Sequence, residues 1–129
     1  MTAELPSTTG ADVDSLSKLV SLSRPPLTVR WRKSLLSEPG LGPTDWKLTA
    51  VIELTAGDAD ALAASLKPLP GARPALSAAE EAWLTAPVRI ALDSATVYDA
   101  APLGKSPLKM GSIARLKGSN VFVLVMITS

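Results

Sequence analysis

The chain of 129 residues has no histidine, no cysteine and no glutamine, and Asn120 is its only asparagine. Without histidine and cysteine it has no ordinary general base for neutral pH, no thiol nucleophile and none of the preferred zinc ligands. A disulfide framework is excluded as well. Only carboxylates, lysines, arginines, hydroxyls and Tyr98 remain for chemistry, so we expect no catalytic residues, no metal and no cofactor.

Aromatic residues are scarce, at 4% of the chain, although 47% of the residues are hydrophobic. The core is therefore expected to consist mainly of Leu, Val, Ile and Ala, with three tryptophans as its large side chains. The length predicts one domain, which we place at residues 11–129, after a disordered N-terminus at residues 1–10.

Long hydrophobic runs are absent. The longest, residues 121–127, has seven residues, whereas a membrane-spanning helix needs about 20, so no membrane span is expected. Residues 1–10 lack a basic region followed by an apolar one, so we expect no signal peptide in this sequence. The expected location is then cytoplasmic. A periplasmic protein from which a signal had been removed would look the same.

The formal net charge of +1 hides a segregation of charge along the chain. Residues 15–37 carry five basic residues and no acidic one, residues 38–99 carry nine acidic against four basic, and residues 100–129 carry four basic and none acidic. Either basic strands and acidic helices neutralise each other within the fold, or a basic and an acidic face serve a charged partner.

The hydrophobic pattern predicts three helices and five or six strands. A first helix is predicted at residues 13–22 with Asp12 as its N-cap, and a second over about ten residues with Asp58 as its cap. A third is predicted after the Ser77–Glu80 capping box, with Pro87 ending it. Strands are predicted at residues 27–32, 46–55, 113–117 and 121–128, with one bent strand or two short ones at 88–98.

Two of these strands also indicate how the sheet is buried. Residues 27–32 alternate, so Arg30 and Arg32 are predicted on the solvent side and Trp31 in the core. Residues 121–127 are apolar at every position, so both faces of that strand should be covered and the strand should be central. We therefore predict an α+β fold, with a mainly antiparallel sheet of four to six strands and two or three short helices packed on one face.

Short motifs that are typical of enzymes are incomplete. The tripeptide from Gly104 to Ser106 resembles the end of a phosphate-binding loop, but Asp99 stands where the first glycine belongs and Pro107 disfavours the helix that must follow. Ser15 and Lys18 match a Ser-x-x-Lys pattern, which lacks its companion elements in a chain of this length. Neither motif supports catalysis.

Acidic residues offer one enzymatic alternative. Asp45, Glu53, Asp93 and Asp99 lie in or beside predicted strands. Two such carboxylates at suitable separation could hydrolyse a glycosidic bond. A carboxylate-dependent hydrolase is therefore kept as the third hypothesis.

The first hypothesis is a small non-catalytic domain that binds another protein, for example an immunity or inhibitor-type protein, or an accessory subunit of an envelope or secretion assembly. Segregated charge favours steered association with a charged partner. The residues predicted to bind this partner are Arg30, Arg32, Tyr98, Lys105 and Lys109. Nucleic-acid binding through the same basic strand and loop residues is the second hypothesis.

Overall fold

The structure is a computed structural model that describes residues 7–22, 26–35, 46–74, 76, 78–104 and 108–128. The strands in these residues are β1 (Ser7–Gly10), β2 (Thr28–Leu35), β3 (Trp46–Glu53), β4 (Thr96–Asp99), β5 (Leu108–Arg115) and β6 (Val121–Thr128). The helices are α1 (Val13–Leu19), α2 (Ala56–Ser65), α3 (Ala78–Trp83) and α4 (Ala86–Ala91), with single 3-10 turns at Leu92–Ser94 and Ala101–Leu103. No helix in the described part of the chain has both the length and the hydrophobicity to cross a membrane.

The strands form one antiparallel sheet in the order β1-β2-β3-β6-β5-β4. The predicted α+β fold with a mainly antiparallel sheet is therefore confirmed. β6 lies between β3 and β5, and every residue from 122 to 126 is buried. This confirms the central position predicted for the last strand, because an apolar run without alternation is stable only where both faces are covered.

One face of the sheet packs against α1 and α2 and holds the main hydrophobic core. On β3 it is marked by Leu48, Ala50 and Ile52, which cluster with Leu16 of α1 and Leu62 of α2. We call it the α1–α2 face. Helices of seven and ten residues are marginal on their own. Burying each large apolar side chain contributes roughly 1.5–3 kcal/mol, so these helices are held by the sheet.

The helix α3 packs on the opposite face of the sheet. The carboxylate of Glu80 is buried and accepts hydrogen bonds from Lys47 Nζ at 2.7 Å and from Thr49 Oγ1 at 2.6 Å. Side chains alternate along a strand, so Lys47 and Thr49 point away from Leu48. We call this the α3 face. The sequence predicted all helices on one face, because a capping signal does not encode the side on which a helix docks.

The starts of the first two helices are set by local hydrogen bonds. The predicted N-cap of α1 is confirmed, since the Asp12 carboxylate accepts from Ser15 N at 3.0 Å. The N-cap of α2 is Thr55, whose hydroxyl accepts from Asp58 N at 3.2 Å. Asp58 therefore lies in the first turn, where an acidic side chain also suits the helix dipole, and the prediction that it caps α2 is wrong. The predicted cap Ser77 lies outside the described residues.

The segment predicted as strand at residues 88–98 is largely helical. Pro87 lies in the first turn of α4, which begins after the N-cap Thr85. Proline is well tolerated there because its fixed φ suits a helix and its missing N–H has no partner within the helix anyway. Only Thr96–Asp99 form a strand. Because α3 ends at Trp83 and Pro87 belongs to α4, the prediction that Pro87 ends the third helix is wrong.

Both edges of the sheet extend beyond the predicted elements. Ser7–Gly10, which were predicted to belong to a disordered N-terminus, pair with β2 as an edge strand. Residues 1–6 lie outside the described residues. At the other edge, β4 exchanges hydrogen bonds with the segment after α2, from Leu69 N to Val97 O and from Asp99 N to Lys67 O. This segment covers the outer edge of β4.

Candidate protein-binding surface

β2 places Arg30 and Arg32 side by side on the α3 face. Arg30 pairs with Val51 and Arg32 with Thr49 across the β2–β3 ladder. Arg30 is exposed and Arg32 is half-buried. Because the two arginines alternate with the buried Trp31, the prediction that they lie on the side opposite Trp31 is confirmed.

The aromatic neighbour of this pair is Trp83, at the end of α3. The guanidinium carbon of Arg30 lies 4.9 Å from the centroid of the Trp83 ring. Arg30 Nη2 also donates to the Trp83 carbonyl oxygen at a long 3.5 Å. A cation over an indole is attracted by the ring quadrupole, and stacking restricts the rotamers of a long side chain. Arg30, Arg32 and Trp83 together are called the β2 arginine surface.

The β2 arginine surface carries the positive charge of two guanidinium groups. Within the described residues, neither Arg30 nor Arg32 has a carboxylate within ion-pair distance. Other bases do have one: Lys47 pairs with Glu80, Arg73 with Asp93, and Arg115 with Asp60. Apart from the bond of Arg30 Nη2 to the Trp83 carbonyl, these guanidinium donors have no carboxylate acceptor among the described residues.

Tyr98 lies in a different place, in an open cleft of about 500 Å³ at the β5–β6 hairpin. The cleft is lined by Asp60, Thr96, Tyr98, Arg115, Leu116, Lys117, Gly118, Ser119 and Asn120. Tyr98 shares the α1–α2 face with Trp31, since the register runs from Tyr98 through Ile113, Leu124 and Ala50 to Trp31. β4 and β2 are four strand spacings apart, roughly 19 Å. Tyr98 and the β2 arginine surface therefore do not form one contact region.

Arg115 forms part of the wall of this cleft, and its guanidinium group already has hydrogen-bond and ion-pair partners within the chain. Its Nε donates to the Ser119 carbonyl at 3.0 Å and its Nη2 to Asn120 Oδ1 at 3.3 Å. Nη2 also lies 2.8 Å from an Asp60 carboxylate oxygen. The ion pair neutralises the arginine and ties the hairpin to α2. Arg115 therefore does not extend the basic surface of β2.

That Lys105 and Lys109 bind a partner stays a prediction. Lys105 lies outside the described residues. Lys109 lies in β5 where the pairing with β6 shifts register, between Leu108 and Met110. The next described element after Gly104 is the strand β5, which begins at Leu108, so the described residues there offer no helix N-terminus to bind a phosphate.

Two of the acidic residues considered for hydrolysis, Glu53 and Asp99, lie apart from each other. Glu53 is in β3 and Asp99 in β4, three strand spacings or roughly 14 Å apart across the sheet. Asp93 forms an exposed ion pair with Arg73, and Asp99 accepts from Ala101 N at 2.9 Å. Asp45 lies outside the described residues. Across the ranges that the structure describes, no group of three or more carboxylates is placed to hold a metal ion.

Trp83 is the member of the β2 arginine surface that sequence reasoning missed. The pattern after Ser77 predicted a helix that contains Trp83, but not the face of the sheet that this helix covers. Comparisons with protein-family models, with curated proteins and with solved structures found no match to this chain. A function for this chain must therefore be inferred from the geometry of its described residues.

Proposed function

We propose that this chain is a non-catalytic domain that binds an acidic region of another protein through Arg30, Arg32 and Trp83. The observation that carries the proposal is the exposed guanidinium of Arg30, stacked on Trp83 and without a carboxylate partner among the described residues. Arginine and tryptophan are the residue types that most often dominate binding energy in protein interfaces.

The placement of these side chains favours rigid recognition. β2 is paired on both sides, with β1 and β3, so the backbone under the arginines is held by two ladders. The stack on Trp83 further reduces the side-chain freedom that Arg30 would lose on binding, which lowers the entropic cost. A planar guanidinium can bind a carboxylate through two parallel hydrogen bonds. An inhibitor or immunity-type protein and an accessory subunit of a larger assembly would both use such a surface.

Charge reversal on the β2 arginine surface tests this proposal. The full chain carrying a tag, and its Arg30→Glu and Arg32→Glu variants, would be incubated with nuclease-treated lysate of the source organism. Retained proteins would be identified by mass spectrometry, and their affinities then measured by calorimetry. We expect one stoichiometric protein, with affinity reduced at least tenfold by either variant, which corresponds to about 1.4 kcal/mol.

Lys67→Glu is the matched control, because Lys67 is exposed and lies beside β4 at the other edge of the sheet. It makes the same change in net charge but should leave the affinity unchanged. Equal losses in all three variants would indicate a long-range effect of net charge and contradict the proposed surface. Recovery of nucleic acid before nuclease treatment, and of no protein after it, would favour the nucleic-acid hypothesis instead.

A further inference from the structure

A second surface with a defined chemistry lies on the α1–α2 face, between α1 and the strands β2 and β3. It is an open groove of about 300 Å³, lined by Ser15, Lys18, Leu19, Trp31, Lys33 and Trp46. The three α1 residues have the spacing i, i+3, i+4, so they share one side of the helix. Trp31 and Lys33 are two apart on β2 and point to the same face.

The groove combines an aromatic floor with two positive charges. Lys33 Nζ lies 4.5 Å from the centroid of the Trp46 ring, which holds the ammonium group over an apolar surface. Lys18 is exposed in the last turn of α1. Among the described residues, no acidic side chain lines the groove and neither lysine has a carboxylate within ion-pair distance. Within the described residues, the two ammonium groups of the groove thus have no carboxylate partner.

Trp31 gives the groove a fixed wall. It is 7% exposed, and a β-carbon at Gly10 would lie within 3.0 Å of its indole ring, so β1 packs directly against it. Its buried Nε1 makes no hydrogen bond of normal geometry in the part of the chain that the structure describes. The position of the ring is thus determined mainly by packing.

We propose that this groove binds a small carboxylate with an apolar body. The body would lie against Trp31, Trp46 and Leu19, and the carboxylate would be neutralised by Lys18 and Lys33. The volume is at the lower end of the range for ligand sites, so the ligand must be small. This site lies on the face of the sheet opposite the β2 arginine surface, and the proposal does not depend on binding at that surface.

Tryptophan fluorescence provides the test, because two of the three tryptophans line the groove. In the Trp83→Phe variant, Trp31 and Trp46 are the only tryptophans. This variant would be titrated with sodium octanoate, and with octanol and octylammonium chloride as neutral and cationic controls. We expect a saturable change with octanoate and at least tenfold weaker binding of both controls. Calorimetry on the unaltered protein would give the same affinity for octanoate.

Lysine variants then locate the carboxylate. Lys18→Met and Lys33→Met should each weaken octanoate binding at least fivefold, whereas Lys67→Met, an exposed lysine outside the groove, should not. None of the three side chains is fully buried, and circular dichroism would confirm that each variant is folded. Equal affinity for octanoate and octanol, or no saturable binding, would overturn the proposal. So would a dimer, seen by sedimentation without ligand, that Lys33→Met dissociates, because a second copy would then occupy the groove.

Discussion

The buried ion pair between Lys47 and Glu80 should be essential for docking α3 on the sheet. The two residues are 8% and 3% exposed, their charged atoms lie 2.7 Å apart, and the carboxylate also accepts from the buried hydroxyl of Thr49. Removing one partner of such a pair leaves a buried charge and typically costs about 3–5 kcal/mol. Glu80→Ala should therefore lower the free energy of unfolding by about 3–5 kcal/mol, a large part of the total of about 5–15 kcal/mol for a domain.

A double-mutant cycle distinguishes the cost of a buried charge from that of lost packing. Lys47→Met and Glu80→Met would each be destabilising, but the double variant should lose much less than their sum, with a coupling of about 2–3 kcal/mol. Urea denaturation followed by circular dichroism gives the three free energies. Additive effects would contradict a coupling between the two buried charges. So would a loss below about 1 kcal/mol for Glu80→Ala, because a contribution that small is typical of ion pairs on the surface.

The same perturbation connects stability with the proposed function. α3 has six residues and is too short to be helical without its contacts to the sheet. Trp83 is its last residue and stacks on Arg30. Glu80→Ala should therefore also displace Trp83 and weaken binding at the β2 arginine surface, although Glu80 itself is buried.

Two further predictions concern packing and pH. A β-carbon at Gly111 would overlap the carbonyl oxygen of Val125 on the neighbouring strand, so Gly111→Ala should cost at least about 1–3 kcal/mol in urea unfolding. A β-carbon at Gly57 in α2 would meet open space, so Gly57→Ala should be neutral or stabilise by up to about 1 kcal/mol. Equal losses of unfolding free energy in the two glycine variants would contradict the role of packing. Hydrogen bonds from the side chain and the backbone of Ser15 lower the pKa of Asp12 below its usual 3.8. The folded carboxyl thus has the lower pKa, so this stabilisation is present above about pH 3.8 and is lost as the pH falls through the folded value. As the pH falls, the free energy of unfolding of Asp12→Asn should therefore decrease less than that of the unaltered protein. The same pH dependence in both proteins would contradict this contribution.

Several strands could be predicted because their side chains follow a simple period. Alternation at residues 27–32 correctly separates Arg30 and Arg32 from Trp31, and the unbroken apolar run at residues 121–127 correctly predicts a central strand. The segment at residues 88–91 was mispredicted for the same reason, since Val88 and Ile90 alternate with polar or small residues. A helix forms there because Pro87 suits a first turn.

The candidate surface was predictable only in part. The arginines are marked by their alternation with a buried tryptophan, so their exposure follows from sequence. Trp83 reaches Arg30 across 53 positions in the chain, and no local pattern encodes that contact. Tyr98 was grouped with the arginines because all are candidate contact residues, but the strand order separates them by four spacings.

By itself, the sequence determines the α+β class, the chemistry that is absent and the faces of individual strands, because these depend on composition and on neighbours along the chain. Tertiary structure alone decides the strand order, the docking of α3 opposite α1 and α2, and the neutralisation of Arg115 by Asp60. Such features depend on which distant side chains can be buried together with their polar groups paired, and that is a property of the whole packed arrangement. The exposed Arg30–Trp83 stack and the groove of Trp31 and Trp46 both arise at this level.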